Sequence, residues 1–205
     1  MLKGMRITEL LEKTASKDPV PGGGSISALA GAAAASLVEM VANLTKGRKG
    51  FEDVSEEMES IAREAAHYRQ TLADAIDHDS AAYTKVMEAF RMPKGTTTEK
   101  GVRSRAIQEA LRLAAEVPLA VAKDALELFP LAETVLKKGN PNARTDGLVG
   151  VMMARTAALG ALKNVEINLA SIKDASYVVR VSEEVREMEN LVVQMEKDIV
   201  AGAEL

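Results

Sequence analysis

The stretch DVSEEMESIAREAAHYRQTLADAIDHDSAAYTKVMEAF, residues 53–90, decides the fold. Val54, Met58, Ile61, Ala65, Tyr68, Leu72, Ala75, Asp79, Ala82 and Val86 recur at alternating steps of four and three. That spacing predicts one long helix, from about Asp53 to Phe90, with a heptad-like seam of the kind that antiparallel bundles bury. Asp79 is the anomaly, since every other member of the seam is apolar or a tyrosine.

On both sides of this stretch the same period recurs and no strand pattern appears. Residues 7–16 read as a short helix that stops before Asp18-Pro19, where proline restricts the residue ahead of it. PVPGGGSISALAGAAAASLVEMVANLT, residues 19–45, reads as three glycines leading into a helix from about Ser25 to Leu44. Ile26, Leu29, Ala33, Leu37, Val41 and Leu44 mark its aliphatic side, and Ala28, Gly31, Ala32, Ala35 and Ser36 its small side. Such a helix belongs at the centre, where neighbours approach its backbone closely. After the seam helix, Thr96 and Glu99 form a capping-box pattern. The next helix runs to about Lys138, with Pro118 and Pro130 expected to kink or split it, and Gly139-Asn140-Pro141 ends it. A fifth helix is expected from a Thr145 cap to about Leu169, and a sixth from about Asp174. Long amphipathic helices with short loops predict an all-α, up-and-down antiparallel bundle of about six helices, a single domain over residues 1–205.

Composition narrows the function classes. The chain has no Cys and no Trp, and 3% aromatic residues, so its core is aliphatic and carries no thiolate metal site. A net charge of −4 argues against general nucleic-acid binding. The first residues do not read as a secretory signal, and no uninterrupted apolar run approaches membrane-spanning length. These features predict a cytoplasmic protein without nucleic-acid or membrane partners.

Asp79 has two readings: a partly desolvated carboxyl with a raised pKa suited to acid–base work, or a structural aspartate paired with another helix. Asp77 points to a different side of the helix. Gly22, Gly23 and Gly24 can adopt positive φ and admit a ligand to a helix N-terminus that Ser25 would cap, or they form only a permissive turn. PGGGS is not a P-loop, because no Gly-Lys-Ser/Thr follows it. Lys94 lies in the loop after the seam helix. Asn140, Asn142, Arg144 and Asp146 crowd a second loop. Lys46, Arg48 and Lys49 either attract an anionic ligand tail or complement a helix C-terminus. His67 and His78 lack partners at helical spacing, so no metal is expected.

Five ordered segments carry a resemblance: VPGGGSISALAGAAAASLVEMVANLTKGRKG, DHDSAAYTKVMEAFRMPK, VPLAVAKDALEL, KKGNPNARTDGLVG and NVEINLASIKD. Together they resemble the formiminotetrahydrofolate cyclodeaminase / methenyltetrahydrofolate cyclohydrolase family over nearly the whole chain. The resemblance implies a homodimer and a reduced-folate site between helices and subunits, with a tetrahydrofolate derivative as substrate and no cofactor. It gives the aspartate of DHDS an acid–base role, which the seam assigns to Asp79. Lys94 would donate a proton or pair with Asp79, and Tyr83 would orient it. The glycine loop with Ser25, Asn140, Asp146 and Asn168 would hold the folate, and Lys46, Arg48 and Arg144 its anionic tail. Of the two reactions, the reading leans to cyclodeaminase, with ammonia as product, over the cyclohydrolase. The rival to both is a non-catalytic helical interaction module, which would place Asp79 on a solvated face away from the glycines.

Overall fold

The structure, a computed structural model, describes residues 1–203. Six α-helices carry the fold: α1 Ile7–Thr14, α2 Gly23–Asn43, α3 Ser55–Arg91, α4 Thr97–Lys138, α5 Arg144–Leu169 and α6 Ala175–Gly202. Among the described residues there is no strand. Helices α2 to α5 form a closed antiparallel ring, α2 on α3, α3 on α4, α4 on α5 and α5 back on α2, with α6 packed outside mainly on α5.

The seam of α3 faces this core. Met58, Ala65 and Leu72 are fully buried, Ile61, Ala75, Ala82 and Val86 nearly so, while Asp79 is half-buried. A leucine such as Leu72 contributes roughly 1.5–3 kcal/mol by leaving water. The small side of α2 does the close packing: Ala28, Ala34 and Ala35 are fully buried. A Cβ on Gly31 would lie 3.1 Å from Leu72 and 3.3 Å from Ala157, so three helices meet there at backbone distance. The expected aliphatic side of α2 is not uniformly outward: Val41 is fully buried, Ile26, Leu29, Ala33 and Leu37 are half-buried, and Leu44, just past the helix end, is exposed like Met40.

Several local expectations are corrected. Of the kink or split expected at Pro118 and Pro130, the split does not occur, since α4 continues through both prolines as one helix. Thr145 is not the cap of α5, because the 3-10 turn Pro141–Ala143 leads directly into Arg144 and makes Ala143 the N-cap. Thr96 and Glu99 do form the capping box, and Asp174 caps α6 by accepting from the Ser176 and Tyr177 N–H groups. Two helical segments, Gly23–Asn43 and Pro141–Leu169, are long and apolar enough to cross a membrane. Both are packed into the ring, which is how core helices of such composition are satisfied.

Candidate active site

The site grows from the N-terminus of α2. Gly22 is the N-cap and supplies no side chain, so the first N–H groups of α2 lack a local acceptor. Asp79 reaches across from α3 and supplies one. Its carboxylate accepts from the Ser25 N–H, and its Oδ2 lies 2.8 Å from Ser25 Oγ. A Cβ on Gly24 would lie 2.1 Å from Asp79 Oδ1. A side chain at Gly24 would therefore have to displace the carboxylate or the helix. None of Gly22, Gly23 and Gly24 has positive φ, so conformational freedom is not what they contribute. Ser25 sits inside the helix at its third position and is not the cap.

Ser25 Oγ has one proton and three oxygen neighbours: Asp79 Oδ2 at 2.8 Å, the Ile76 carbonyl at 3.0 Å and Ser80 Oγ at 3.2 Å. It can donate to an ionised Asp79, or turn to Ile76 when Asp79 is protonated. Burial pushes the Asp79 pKa above the ordinary carboxylate value, and the side-chain and backbone hydrogen bonds from Ser25 pull against that shift. The environment thus weakens the charge without abolishing a place for it, which suits a group that gains and loses a proton in turnover.

Asp79 borders a cavity of about 360 Å³. Pro19, Val20 and the three glycines Gly22, Gly23 and Gly24 form one wall, Ala82, Tyr83 and Val86 another, and Ala114, Asn164, Ile167 and Asn168 complete it. The two asparagines are held by their amide nitrogens. Asn164 Nδ2 donates to the Gly160 carbonyl at 2.8 Å, and Asn168 Nδ2 donates to the Ala114 and Asn164 carbonyls at 2.7 and 2.8 Å. Flipping either amide would set oxygen against carbonyl oxygen, so the side-chain oxygens remain as acceptors for a ligand. Pro118 explains one anchor. It lacks the N–H that would bond Ala114 in the helix, and Asn168 takes the freed carbonyl.

The expected site residues divide in two. Gly22, Gly23, Gly24, Asp79, Tyr83 and Asn168 line the one cavity, with Ser25 beneath it. The rest lie elsewhere in the chain. Lys94 is exposed beyond the end of α3, and the twelve residues from Asp79 to Arg91 already span about 18 Å. Lys46 and Arg48 follow the opposite end of α2, about 30 Å from Gly24. Asn140, Arg144 and Asp146 belong to that far end too. Asn140 is buried there, donating its backbone N–H to Thr45 Oγ1 at 2.9 Å and accepting from the Asn142 N–H. Within one chain these groups do not meet Asp79. Asn164 was missed by sequence reasoning, although Gly160, Asn164 and Asn168 recur every four residues along an otherwise apolar side of α5. Among the described residues, no group of three or more His, Cys, Asp or Glu gathers to hold a metal ion.

A family model described as "Formiminotransferase-cyclodeaminase" matches residues 6–187. The chain is 37% identical over 188 residues to a protein named methenyltetrahydrofolate cyclohydrolase from Methylorubrum extorquens, covering 92% of this chain and 89% of that one. It is 31% identical to formimidoyltransferase-cyclodeaminase from Sus scrofa over 85% of this chain, and spans about a third (32%) of that longer protein. A crystal structure of formiminotetrahydrofolate cyclodeaminase from Thermotoga maritima superposes with a TM-score of 0.88 at 30% identity, covering 99% of this chain and 98% of the other.

Proposed function

The chain belongs to the formiminotransferase-cyclodeaminase family, and from that premise we propose that it is a folate one-carbon enzyme hydrolysing 5,10-methenyltetrahydrofolate. Asp79 would be its acid–base group. The carrying observation is the Asp79 carboxyl, half-buried on Gly24 and open to a cavity with two anchored asparagines. That placement is opposite to what an inert helical module would need. Water rather than ammonia is favoured as the exchanged group, which reverses the lean of the sequence reading. The support is the higher identity, over nearly full length on both sides, to the cyclohydrolase of Methylorubrum extorquens. The cyclodeaminase reading is kept by the full-length likeness to the Thermotoga maritima protein at lower identity.

In the proposed reaction, ionised Asp79 takes a proton as water attacks the cationic methenyl carbon. The tetrahedral intermediate then loses its bond to N5, with N5 regaining a proton from Asp79. The hydroxyl proton leaves to solvent as the formyl C=O forms on N10. The balance is methenyl cation plus water giving 10-formyltetrahydrofolate and one proton. The negative charge of Asp79 also stabilises the cationic substrate. The Asn164 and Asn168 oxygens match pterin N–H donors. In the cyclodeaminase, N10 attacks a formimino carbon and ammonia leaves from a related tetrahedral centre. The test is to follow the methenyl absorbance. Decay above the buffer rate supports hydrolysis, growth from 5-formiminotetrahydrofolate with ammonia release supports deamination, and no response to either sinks both.

The chain is also proposed to act as a homodimer paired through the outer sides of α2 and α5. Met40, Leu44, Val149 and Met152 are 36–48% exposed on these adjoining helices. Ile167, which lines the cavity, is 70% exposed on the same side of α5. A second copy seated there would cover this apolar surface and close the mouth of the site. Sedimentation should give a dimer that Met40→Glu/Met152→Glu dissociates. A wild-type monomer, or a variant that stays dimeric, would refute this face.

A further inference from the structure

Hydrolysis as proposed above releases one proton per turnover. The formyl C=O forms while the folate still covers the cavity, so that proton needs a route that does not cross the ligand. Asp79 faces the cavity on one side, and a bound folate excludes water from there. On its other side Asp79 touches a hydroxyl. Ser25 Oγ lies 2.8 Å from Asp79 Oδ2 and belongs to a fully buried residue. The same oxygen lies 3.2 Å from Ser80 Oγ. Ser80 follows Asp79 in α3 and so projects about 100° further round the helix. It is half-buried, it is not part of the cavity wall, and Thr84, one turn on, is exposed. The Thr84 hydroxyl is turned to the Ser80 carbonyl, at 2.9 Å. Among the described residues the Ser80 hydroxyl has Ser25 as its one partner, which leaves its far side to water on the outer flank of α3.

We propose that Asp79, Ser25 and Ser80 form a relay that carries the released proton from the folate to solvent on the outer flank of α3, an assignment that rests on the folate reading above. While Asp79 is ionised, Ser80 donates to Ser25 and Ser25 donates to Asp79. After Asp79 has returned its first proton to N5, it takes the hydroxyl proton of the intermediate as the formyl C=O forms. Protonated Asp79 then donates to Ser25 Oγ, Ser25 passes its own proton to Ser80 Oγ, and Ser80 releases its own to water. Each serine ends with one proton, Asp79 ends ionised, and one proton has left the site. A hydroxyl suits this step because it accepts and donates at once. The Ile76 carbonyl, 3.0 Å from Ser25 Oγ, is a dead end, since it accepts a hydrogen bond and has no proton to hand on. Ser25 is thus more than a partner that steadies Asp79, and Ser80 gains a role although it touches neither the cavity nor the carboxylate of Asp79.

The test follows methenyltetrahydrofolate hydrolysis by wild type, Ser80→Ala and Ser80→Thr in dilute buffer and with rising imidazole, the rate without enzyme being subtracted. Ser80→Ala leaves the contact between Ser25 and Asp79 in place. It should lower kcat by about tenfold or more in dilute buffer, as loss of a proton-transfer route does, and leave KM within about threefold. Its rate should recover as imidazole rises, because an outside base then takes the proton. Ser80→Thr keeps the hydroxyl and should match wild type. A Ser80→Ala enzyme as fast as wild type in dilute buffer overturns the relay and leaves the role of Asp79 standing. A slow Ser80→Ala enzyme that imidazole does not restore, or a Ser80→Thr enzyme equally slow, assigns the loss to packing and overturns the relay too. A wild type that deaminates 5-formiminotetrahydrofolate without hydrolysing the methenyl compound releases no such proton and overturns the relay alone. A wild type inactive in both reactions overturns the folate reading and the relay with it.

Discussion

The carboxylate of Asp79 fills the space that a side chain on Gly24 would need, with Oδ1 only 2.1 Å from where that Cβ would stand. A residue in the middle of α3 thereby completes the N-terminus of α2. One contact joins the two elements that the site requires and explains why the glycine run precedes so apolar a helix.

Gly24→Ala must push the Asp79 carboxyl away or shift α2. Overpacking of this kind costs about 1–3 kcal/mol, and turnover should fall by at least an order of magnitude as the carboxyl is displaced. Gly22→Ala is the control, because its Cβ would meet only the Pro19 carbonyl, at an ordinary 3.5 Å. Thermal melts and initial rates of the pair decide the matter, and equal behaviour would show that the close approach is unimportant.

Pro118 is expected to act through Asn168. In Pro118→Ala the new N–H competes for the Ala114 carbonyl, and Asn168 loses one of its two anchors. KM for the folate should rise severalfold, as in Asn168→Ala. The double variant should be no worse than Asn168→Ala alone, since both changes break one interaction. Fully additive effects would disprove the coupling.

The raised pKa of Asp79 makes a signed prediction about stability. A carboxyl whose folded pKa lies above its unfolded value favours the fold while protonated, and that contribution is lost as pH rises through the folded pKa. Asp79→Asn removes the titration and keeps an oxygen to accept from the Ser25 N–H. Relative to wild type, the variant should gain stability as pH climbs from about 4, the ordinary aspartate value, towards neutrality. Denaturant titrations across that range would show the trend, and a variant that instead loses ground with rising pH would contradict a buried, penalised charge.

Much of this was legible in the sequence because helical periodicity is dense. The seam of α3 located the core face and singled out Asp79, and Thr96, Glu99 and Asp174 announced their helix starts. What the sequence hid was three-dimensional pairing. Pro118 reads as a helix breaker, yet α4 continues through it and the freed carbonyl is used by Asn168. The glycines read as a source of positive φ, yet Gly24 matters for the missing Cβ. Lys94, Arg144 and Asp146 look like site residues from their polar loops, but the lengths of α2 and α3 set them at other ends of the bundle. Those separations follow from helix rise once the partners of each helix are known, and no local pattern reveals the partners.

Asp79 is proposed to move protons rather than merely to hold the pterin or cap α2. The most direct measurement compares wild type with Asp79→Asn in methenyltetrahydrofolate turnover and equilibrium binding on the same preparation. The amide can still accept the Ser25 N–H and fill the space beside Gly24, so fold and pocket should persist. The dissociation constant should stay within about threefold of wild type while kcat falls by about 10²–10⁴, the usual contribution of general acid–base catalysis. Binding lost in proportion to turnover, or turnover that survives the substitution, would contradict it.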